Sequence, residues 1–413
     1  MSSGGARGPG AHAAKTRRFH QPDPMLGTLV LIAVAPIVVG LYAYVGYPFV
    51  LWISAKFREH GSLASSETSW PMITVTVPVY NAEATIRTTL DRLLEVDYPR
   101  DRLQLLVISD GSTDATDDIV KEYESRGVEL LRMPLRRGKT IAENSALAAA
   151  RGDLIVNVDA TILVPSTSLK PLIRVFDDST IGVASGRDVS VGDIGNEGNG
   201  AESGYVGYEM WIRDLETRLG SIVGASGCFY AIRRYIHAHP LPADLSWDFA
   251  SVLVARKLGL RSVSVADAVC IVPRTNRVGT ELKRKIRTMA RGIRTLLHYG
   301  SLMNPFTYGG FALMLISHKL LRWLPYLLAP FAVVAALGII GLVFGPTGIG
   351  VALAMTTIAA LVVRYQQLLT SKTPAALAFI IASTAAGSLA WWQVLRRTPT
   401  AMWDPTPRPK SAA

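Results

Sequence analysis

Ile73-Thr-Val-Thr-Val77-Pro-Val-Tyr-Asn-Ala-Glu83 is the stretch from which the fold can be read. Its first five residues are all β-branched and suit a strand. Pro78 and Asn81 then fix a turn that opens a helix over Ala82–Leu94. The alternation continues: Leu103–Ser109 predicts a strand, Asp114–Arg126 a helix, Val128–Met133 a strand, Thr140–Ala150 a helix and Asp153–Val158 a strand. Strands and helices joined by short links imply an α/β domain with a mostly parallel, Rossmann-like sheet covered on both faces. Ligands of such sheets gather beyond the carboxyl ends of the strands, so the chemistry is expected just after Val77, Ser109 and Val158.

Outward from this core the composition changes. The chain has 413 residues, too many for one ordinary domain. Met25–Ala55, Trp323–Val363 and Thr373–Leu395 carry no charged residue, and each is long enough for at least one helical bilayer crossing. Lys56–Arg294 holds nearly all the acids and most of the bases. The expected division is a disordered tail (1–24), a transmembrane helix (25–55) with Pro36 a candidate kink, an α/β domain (56–275), amphipathic interfacial helices (276–323), about three transmembrane helices (324–397) and a tail (398–413). The first two C-terminal crossings should turn at Gly345-Pro346-Thr347-Gly348. The N-terminal apolar run is about twice the length of a signal-peptide core, so it is expected to be retained.

Leu282, Ile286, Met289, Ile293 and Leu296 recur at helical spacing beside a stripe of Arg284, Arg287, Arg291 and Arg294. That pattern suits a helix lying in the headgroup boundary, and His318–Trp323 is a second amphipathic piece. The formal charge of +11 concentrates beside apolar segments. Anionic lipid therefore explains it better than nucleic acid, for which no basic, aromatic-studded sheet is present. Two cysteines, Cys228 and Cys270, make neither a disulfide framework nor a metal site. The Gly-rich acidic stretch Asp188–Glu202 is expected to be a loop, over the site or merely on the surface.

At the strand ends, Tyr80 offers an aromatic face, and Asp110-Gly-Ser-Thr-Asp114 places a carboxylate where it can accept from a pyrimidine imide or a ribose. Arg136, Arg137 and Lys139 bracket Gly138 ahead of a helix and can meet a pyrophosphate. Asn144, on that helix, can bridge to the same loop or simply face outward. Asp159 can hold a divalent ion against a leaving diphosphate. Asp248 and Asp244 are the candidate general bases near the start of a helix predicted over Ala250–Leu258.

Taken in order, Val77-Pro-Val-Tyr-Asn81, Asp110-Gly-Ser-Thr-Asp114, Arg137-Gly-Lys139 with Asn144, Asp159-Ala-Thr161, Gly224-Ala-Ser-Gly227 leading to Tyr230-Ala-Ile-Arg-Arg234, and Asp248 resemble the family-2 glycosyltransferases of GT-A fold. The likeness covers residues 72 to about 300, and any one motif is weak where six in order are strong. Within the family it looks nearest to the membrane branch of chitin, hyaluronan and poly-N-acetylglucosamine synthases. The resemblance implies an inverting transfer from a UDP-sugar or related nucleotide sugar to a glycan or lipid-linked acceptor of the cell envelope. It assigns Pro78, Tyr80, Glu83, Asp110, Lys139 and Asn144 to the nucleotide sugar, and Asp159 with Thr161 to Mg²⁺ or Mn²⁺. Gly227, Asp244 and Trp247 fall on the acceptor side, and Asp248, favoured over Asp244, is the base.

Two departures qualify this. The second acid of the metal motif is replaced by Thr161, which weakens the case for metal. The Gln-x-x-Arg-Trp motif of processive synthases is replaced by Lys285-Ile-Arg-Thr-Met289, so addition of one or a few sugars is expected, with Arg287 or Arg291 serving the diphosphate. A processive synthase with an altered motif and a non-catalytic nucleotide-binding scaffold are the alternatives. Nucleotide sugars are cytosolic, which implies a multi-pass protein of the plasma (inner) membrane with a cytoplasmic catalytic domain. One N-terminal and three C-terminal crossings would then leave Lys15, Arg17, Arg18, Arg396 and Arg397 outside, against the positive-inside tendency.

Overall fold

A computed structural model describes residues 24–58, 70–191, 200–273, 278–364 and 372–398. Both expected tails and much of the Gly-rich stretch after Asp188 lie outside the described residues. Helix α1 (Pro24–Leu41) passes through one π-helical turn (Tyr42–Gly46) into α2 (Tyr47–Lys56). The irregularity therefore falls six residues beyond Pro36, whose missing N–H did not interrupt the helix. The α/β domain follows as β1 (Ile73–Val79), α3 (Ile86–Leu94), β2 (Leu103–Ser109), α4 (Thr116–Lys121), β3 (Val128–Arg132), α5 (Lys139–Ala149) and β4 (Leu154–Val158). It continues with α6 (Leu169–Arg174), β5 (Ile181–Val191), α7 (Gly200–Arg218), β6 (Phe229–Arg233), α8 (Trp247–Lys257) and β7 (Arg261–Pro273). Beyond it come α9 (Val278–His298), α10 (Pro305–Tyr308), α11 (Gly310–Leu315), a π-helical turn (Ile316–Leu320), α12 (Leu321–Arg364) and α13 (Lys372–Leu395).

The strands form one sheet in the order β3-β2-β1-β4-β6-β5-β7. β1 pairs in parallel with β2 and β4, and β2 with β3. β6 runs antiparallel to both neighbours, β4 and β5, and β5 pairs in parallel with β7. All seven residues of β1 are buried, as a central strand covered on both faces requires. Its odd-numbered side chains Ile73, Val75, Val77 and Val79 join Ile86 and Leu90 of α3 in the main core, each worth about 1.5–3 kcal/mol of burial.

The opposite face of the sheet packs differently at its two ends. Near β2 it is covered by Ala142 and Ala146 of α5. Toward β6 it shares one apolar cluster with Tyr47 and Leu51 of α2, Leu296 of α9, and Phe311 and Leu315 of α11. The flanking helices are thus part of the core of the α/β domain.

Two helical stretches are long and apolar enough to cross a membrane by length and composition, Pro24–Lys56 (33 residues) and Gly310–Ile358 (49 residues). The second is broken where predicted: Gly345 takes φ 66°, a conformation that favours glycine. A β-carbon built on Gly341 would lie 3.0 Å from Ile349, so the chain folds back at this point. The piece expected to be amphipathic and interfacial, His318–Trp323, instead lies within this helical run, with His318 and Arg322 buried.

Those buried charges meet α7. Glu209 accepts from Arg322 at 2.7 Å and from His318 Nε2 at 2.9 Å. Glu216 accepts from Tyr47 Oη at 2.6 Å, from His318 Nδ1 at 2.6 Å and from the Val223 amide at 3.2 Å. Burial raises the pKa of both carboxyls, but the His318 ring and nearby cations outweigh it and hold both below the usual range.

Candidate active site

The site forms where β1, β2 and β4 end. Tyr80 follows β1, and the Arg136 guanidinium stacks 3.7 Å from its ring centroid. Asp110 follows β2 and is 3% exposed. Its two oxygens accept from the amides of Arg137 and Gly138, each at 2.7 Å, so the carboxylate shapes the basic loop that was expected beside it. Gly111 (φ 69°) is needed here, because a β-carbon would lie 2.9 Å from the Arg136 amide nitrogen. Asn81 Oδ1 accepts from the Thr113 amide at 2.8 Å and Glu83 accepts from the Ala115 amide at 3.2 Å. Glu83, exposed, therefore ties the β1 and β2 loops together. Pro78 lies within β1, opposite Ile108.

Lys139, the first residue of α5, joins the two sides of the site. Its ammonium donates to Asp159 Oδ1 at 2.5 Å and to the Gly227 carbonyl at 3.1 Å. Burial opposes its charge, yet Asp159 and Glu143 raise its pKa above the ordinary lysine value. Thr161 is half-buried in the turn after Asp159. Asp248 lies against Gly227: a β-carbon there would be 3.4 Å from Oδ2. The Asp248 carboxylate also accepts from Ser246 Oγ at 2.6 Å. Lys139, Asp159, Gly227 and Asp248, separated by more than a hundred residues, thus form one group.

Three expected site residues sit elsewhere. Asn144 does not bridge to the basic loop. Its side chain donates to the Leu241 carbonyl at 2.8 Å and accepts from the Leu241 amide at 3.1 Å and Trp247 Nε1 at 3.0 Å, so it fastens the segment leading to Asp248. Trp247 is 3% exposed, with its ring 4.1 Å from that of His237, and is core rather than acceptor surface. Arg291 donates to Thr140 Oγ1, to the Leu245 carbonyl at 2.7 Å and to the Ala243 carbonyl at 3.2 Å, so it braces the 243–245 turn. Asp244 is 3.7 Å from Arg294 and half-exposed. Arg287 lies half-buried on α9, about one turn before Arg291.

Glu143 escaped sequence reasoning, and Tyr230 entered it only as part of a motif. Glu143, one turn after Lys139, is 2% exposed. Among the described residues, neither of its oxygens nor the buried Tyr230 hydroxyl has a hydrogen-bond partner. Burial pushes the Glu143 carboxyl up to about 8, with Lys139 opposing and Asp248 and Asp159 adding to the rise. The only sequence signal was an acid four residues from a lysine, which more often marks a solvated helix face.

Residues 74–239 match the profile of glycosyl transferase family 2. That segment is similar to the family-2 glycosyltransferases. The sequence is 25% identical over 238 residues to an N-acetylglucosaminyltransferase of Rhizobium sp. (strain N33), covering 53% of this chain and 52% of that one. It is 26% identical over 226 residues to a beta-monoglucosyldiacylglycerol synthase of Synechocystis sp., covering 49% and 47% respectively. The chain spans about half the length of these two curated relatives. Among solved structures, a mannosyltransferase from Pyrobaculum calidifontis in complex with GDP-Man and Mn²⁺ superposes with a TM-score of 0.68 at 23% identity, over 90% of this chain and 99% of that one. The α/β domain therefore has the GT-A fold, and the superposition extends beyond the matched segment.

Proposed function

We propose that the protein is a membrane-bound, inverting glycosyltransferase that takes a sugar from a nucleotide carrier, UDP-linked or related, at the cytoplasmic face of a plasma membrane. The observation that carries this reading is the convergence of Lys139, Asp159, Gly227 and Asp248 at the strand ends of a GT-A domain. In the reaction, an acceptor hydroxyl oxygen attacks the anomeric carbon as the bond from that carbon to the diphosphate oxygen breaks. The proton passes to Asp248, and the nucleoside diphosphate leaves with the electron pair. Lys139 and the Arg136–Arg137 loop neutralise the leaving group, and Tyr80 with the Asp110 turn holds the nucleotide.

Among the described residues no three His, Cys, Asp or Glu side chains converge as a metal cage. Mg²⁺ and Mn²⁺ sites on phosphate substrates need only one or two carboxylates. Asp159 fits that requirement, with Thr161 nearby. A divalent ion there would supply further charge for the leaving diphosphate. The acceptor is a glycan or lipid-linked molecule of the envelope, reached between the Gly224–Gly227 turn and the helices packed beneath it.

The processive alternative retains one supporting observation. Trp323 packs edge-to-face on Phe249, 6.2 Å between centroids, and against Gly292 of α9. An indole therefore packs on Phe249, the residue after Asp248 in sequence, despite the missing motif. We keep short addition as the reading. Incubating the purified chain with UDP- and GDP-sugars and Mn²⁺ tests both: ladders of many sugars would favour the processive alternative. Absence of both transfer and donor hydrolysis, with no change in Asp248→Asn, would reject the enzyme reading.

A further inference from the structure

Glu143 is the one carboxyl of the site without an explained role. It is 2% exposed, both oxygens lack hydrogen-bond partners, and it lies on the first turns of the helix that begins with Lys139. A buried carboxyl without a hydrogen-bond partner is costly, and the charged groups acting on Glu143 are Lys139, Asp248, Asp159 and Arg291. The neighbour that could satisfy it is already close. Lys139 Nζ stands 3.8 Å from Glu143 Oε1 and 2.5 Å from Asp159 Oδ1.

Resting on the glycosyltransferase reading above, we propose that Glu143 is the second seat of the Lys139 ammonium, taken up when a divalent cation engages Asp159. A lysine ammonium in hydrogen-bond contact with Asp159 occupies the carboxylate lone pair that a metal ion needs, and the two positive charges repel at such range. Rotation of the flexible lysine stem moves the ammonium little more than an ångström nearer to Glu143 and restores a hydrogen bond there. Either protonation state of Glu143 leaves an oxygen lone pair for the ammonium. Glu143 is a positioning residue in this scheme, acting through Lys139 and touching neither donor nor acceptor.

The test titrates Mn²⁺ by electron paramagnetic resonance against the full chain in detergent, with saturating UDP in one arm and GDP in the other. Glu143→Leu removes the second seat and leaves Lys139 on Asp159. Mn²⁺ affinity should fall roughly 10- to 100-fold, the usual consequence of losing an outer-shell partner. Metal-free affinity for the same nucleotide should be unchanged. Glu143→Gln, which keeps an acceptor oxygen, should bind Mn²⁺ more tightly than the leucine variant. Because leucine replaces an unpartnered buried carboxyl, the fold should tolerate it, and the nucleotide arm verifies that. Equal Mn²⁺ affinity in wild type and Glu143→Leu would overturn the second seat alone. Wild-type Mn²⁺ binding that Asp159→Ala leaves intact would overturn the metal assignment at Asp159, and the second seat with it. Parallel losses of nucleotide and metal affinity would make Glu143 a structural residue and reject the proposal.

Discussion

At the residue scale, the roles of Asp248 and Asn144 separate cleanly. Asp248→Asn keeps the hydrogen bond to Ser246 but cannot take a proton. Transfer should fall about 10²- to 10⁴-fold while nucleotide affinity measured by calorimetry stays within error of wild type. Asn144→Ala should act mainly on stability. It deletes three hydrogen bonds to the 241–247 segment and leaves the buried Trp247 indole N–H unmatched, a loss of about 1–3 kcal/mol, read as a lowered Tm. The sequence pointed to the place of Asp248 beside Gly227 but not to the partners of Asn144. Asp248 stands in a helix start beside other motif residues. The partners of Asn144 lie about a hundred positions away, and helical periodicity says nothing about which loop meets a given face. Glu143 was hidden for the opposite reason, since an acid one turn from a lysine looks like an ordinary surface pair.

At the element scale, the parallel half of the sheet was legible because β1, β2 and β4 are short apolar runs separated by amphipathic helices. The other half was not. β5 and β7 pair over long stretches with two register shifts, between Ile181 and Val183 and between Ser185 and Arg187. Such irregularities break the two-residue alternation by which strands are found. The contact of α7 with the helical run around His318 was similarly hidden, although Glu209 and Glu216 are seven residues apart on one helix face and His318 and Arg322 are four apart on another. Removing one partner should expose the cost of these buried charges. Glu209→Ala leaves Arg322 without its carboxylate, while His318 keeps Glu216, and should destabilise the junction by about 3–5 kcal/mol, measured as loss of folded protein on size exclusion in detergent.

A pH dependence belongs to the same scale. His237, buried between β6 and α8, meets Ser251 Oγ at 2.7 Å, and burial pushes its pKa from 6.5 down to about 4. Between those values the unfolded chain binds more protons than the folded one. Stability from this group is therefore complete above about pH 6.5 and is lost as the pH falls toward 4. The full effect is about 3 kcal/mol. His237→Gln should flatten that part of a Tm-versus-pH curve, and an unchanged slope would assign the acid sensitivity elsewhere.

At the scale of the whole molecule, on the membrane reading proposed above, the packing of the apolar helices would set Pro24 and Thr398 on opposite sides. A β-carbon on Gly40 would approach Pro325, and one on Gly338 would approach Leu29, so α1 runs antiparallel to the first part of α12 and carries the N-terminus away from the catalytic domain. α13 ends beside that domain: Trp391 Nε1 donates to the Trp323 carbonyl at 2.8 Å, and Arg294 donates to the Gln393 carbonyl at 3.3 Å. Three full C-terminal crossings, as expected from hydropathy, would put this end on the far side. Hydropathy located the break at Gly345 but marks apolar length, not which side each following helix ends on. An epitope after Ala413 should be reachable from the cytoplasmic side in intact spheroplasts only after permeabilisation, and one before Pro24 without it. Arg396 and Arg397 then obey the positive-inside tendency, and only the N-terminal bases run against it.

Helix α5 has a consequence for anyone recombining parts of this enzyme. Its first residue grips Asp159 and the Gly227 turn, Thr140 donates to the Leu245 carbonyl at 2.8 Å, and Asn144 fastens Leu241 and Trp247. A single helix thus sets the spacing between Lys139, proposed to meet the leaving phosphate, and Asp248, the proposed base. A chimera that exchanges the basic loop and α5 without Leu241–Asp248, or the reverse, mates two halves of one gauge cut to different lengths. Such a hybrid should bind its nucleotide and fold, yet transfer poorly. Exchanges that carry residues 136–248 as one cassette should keep the gauge intact.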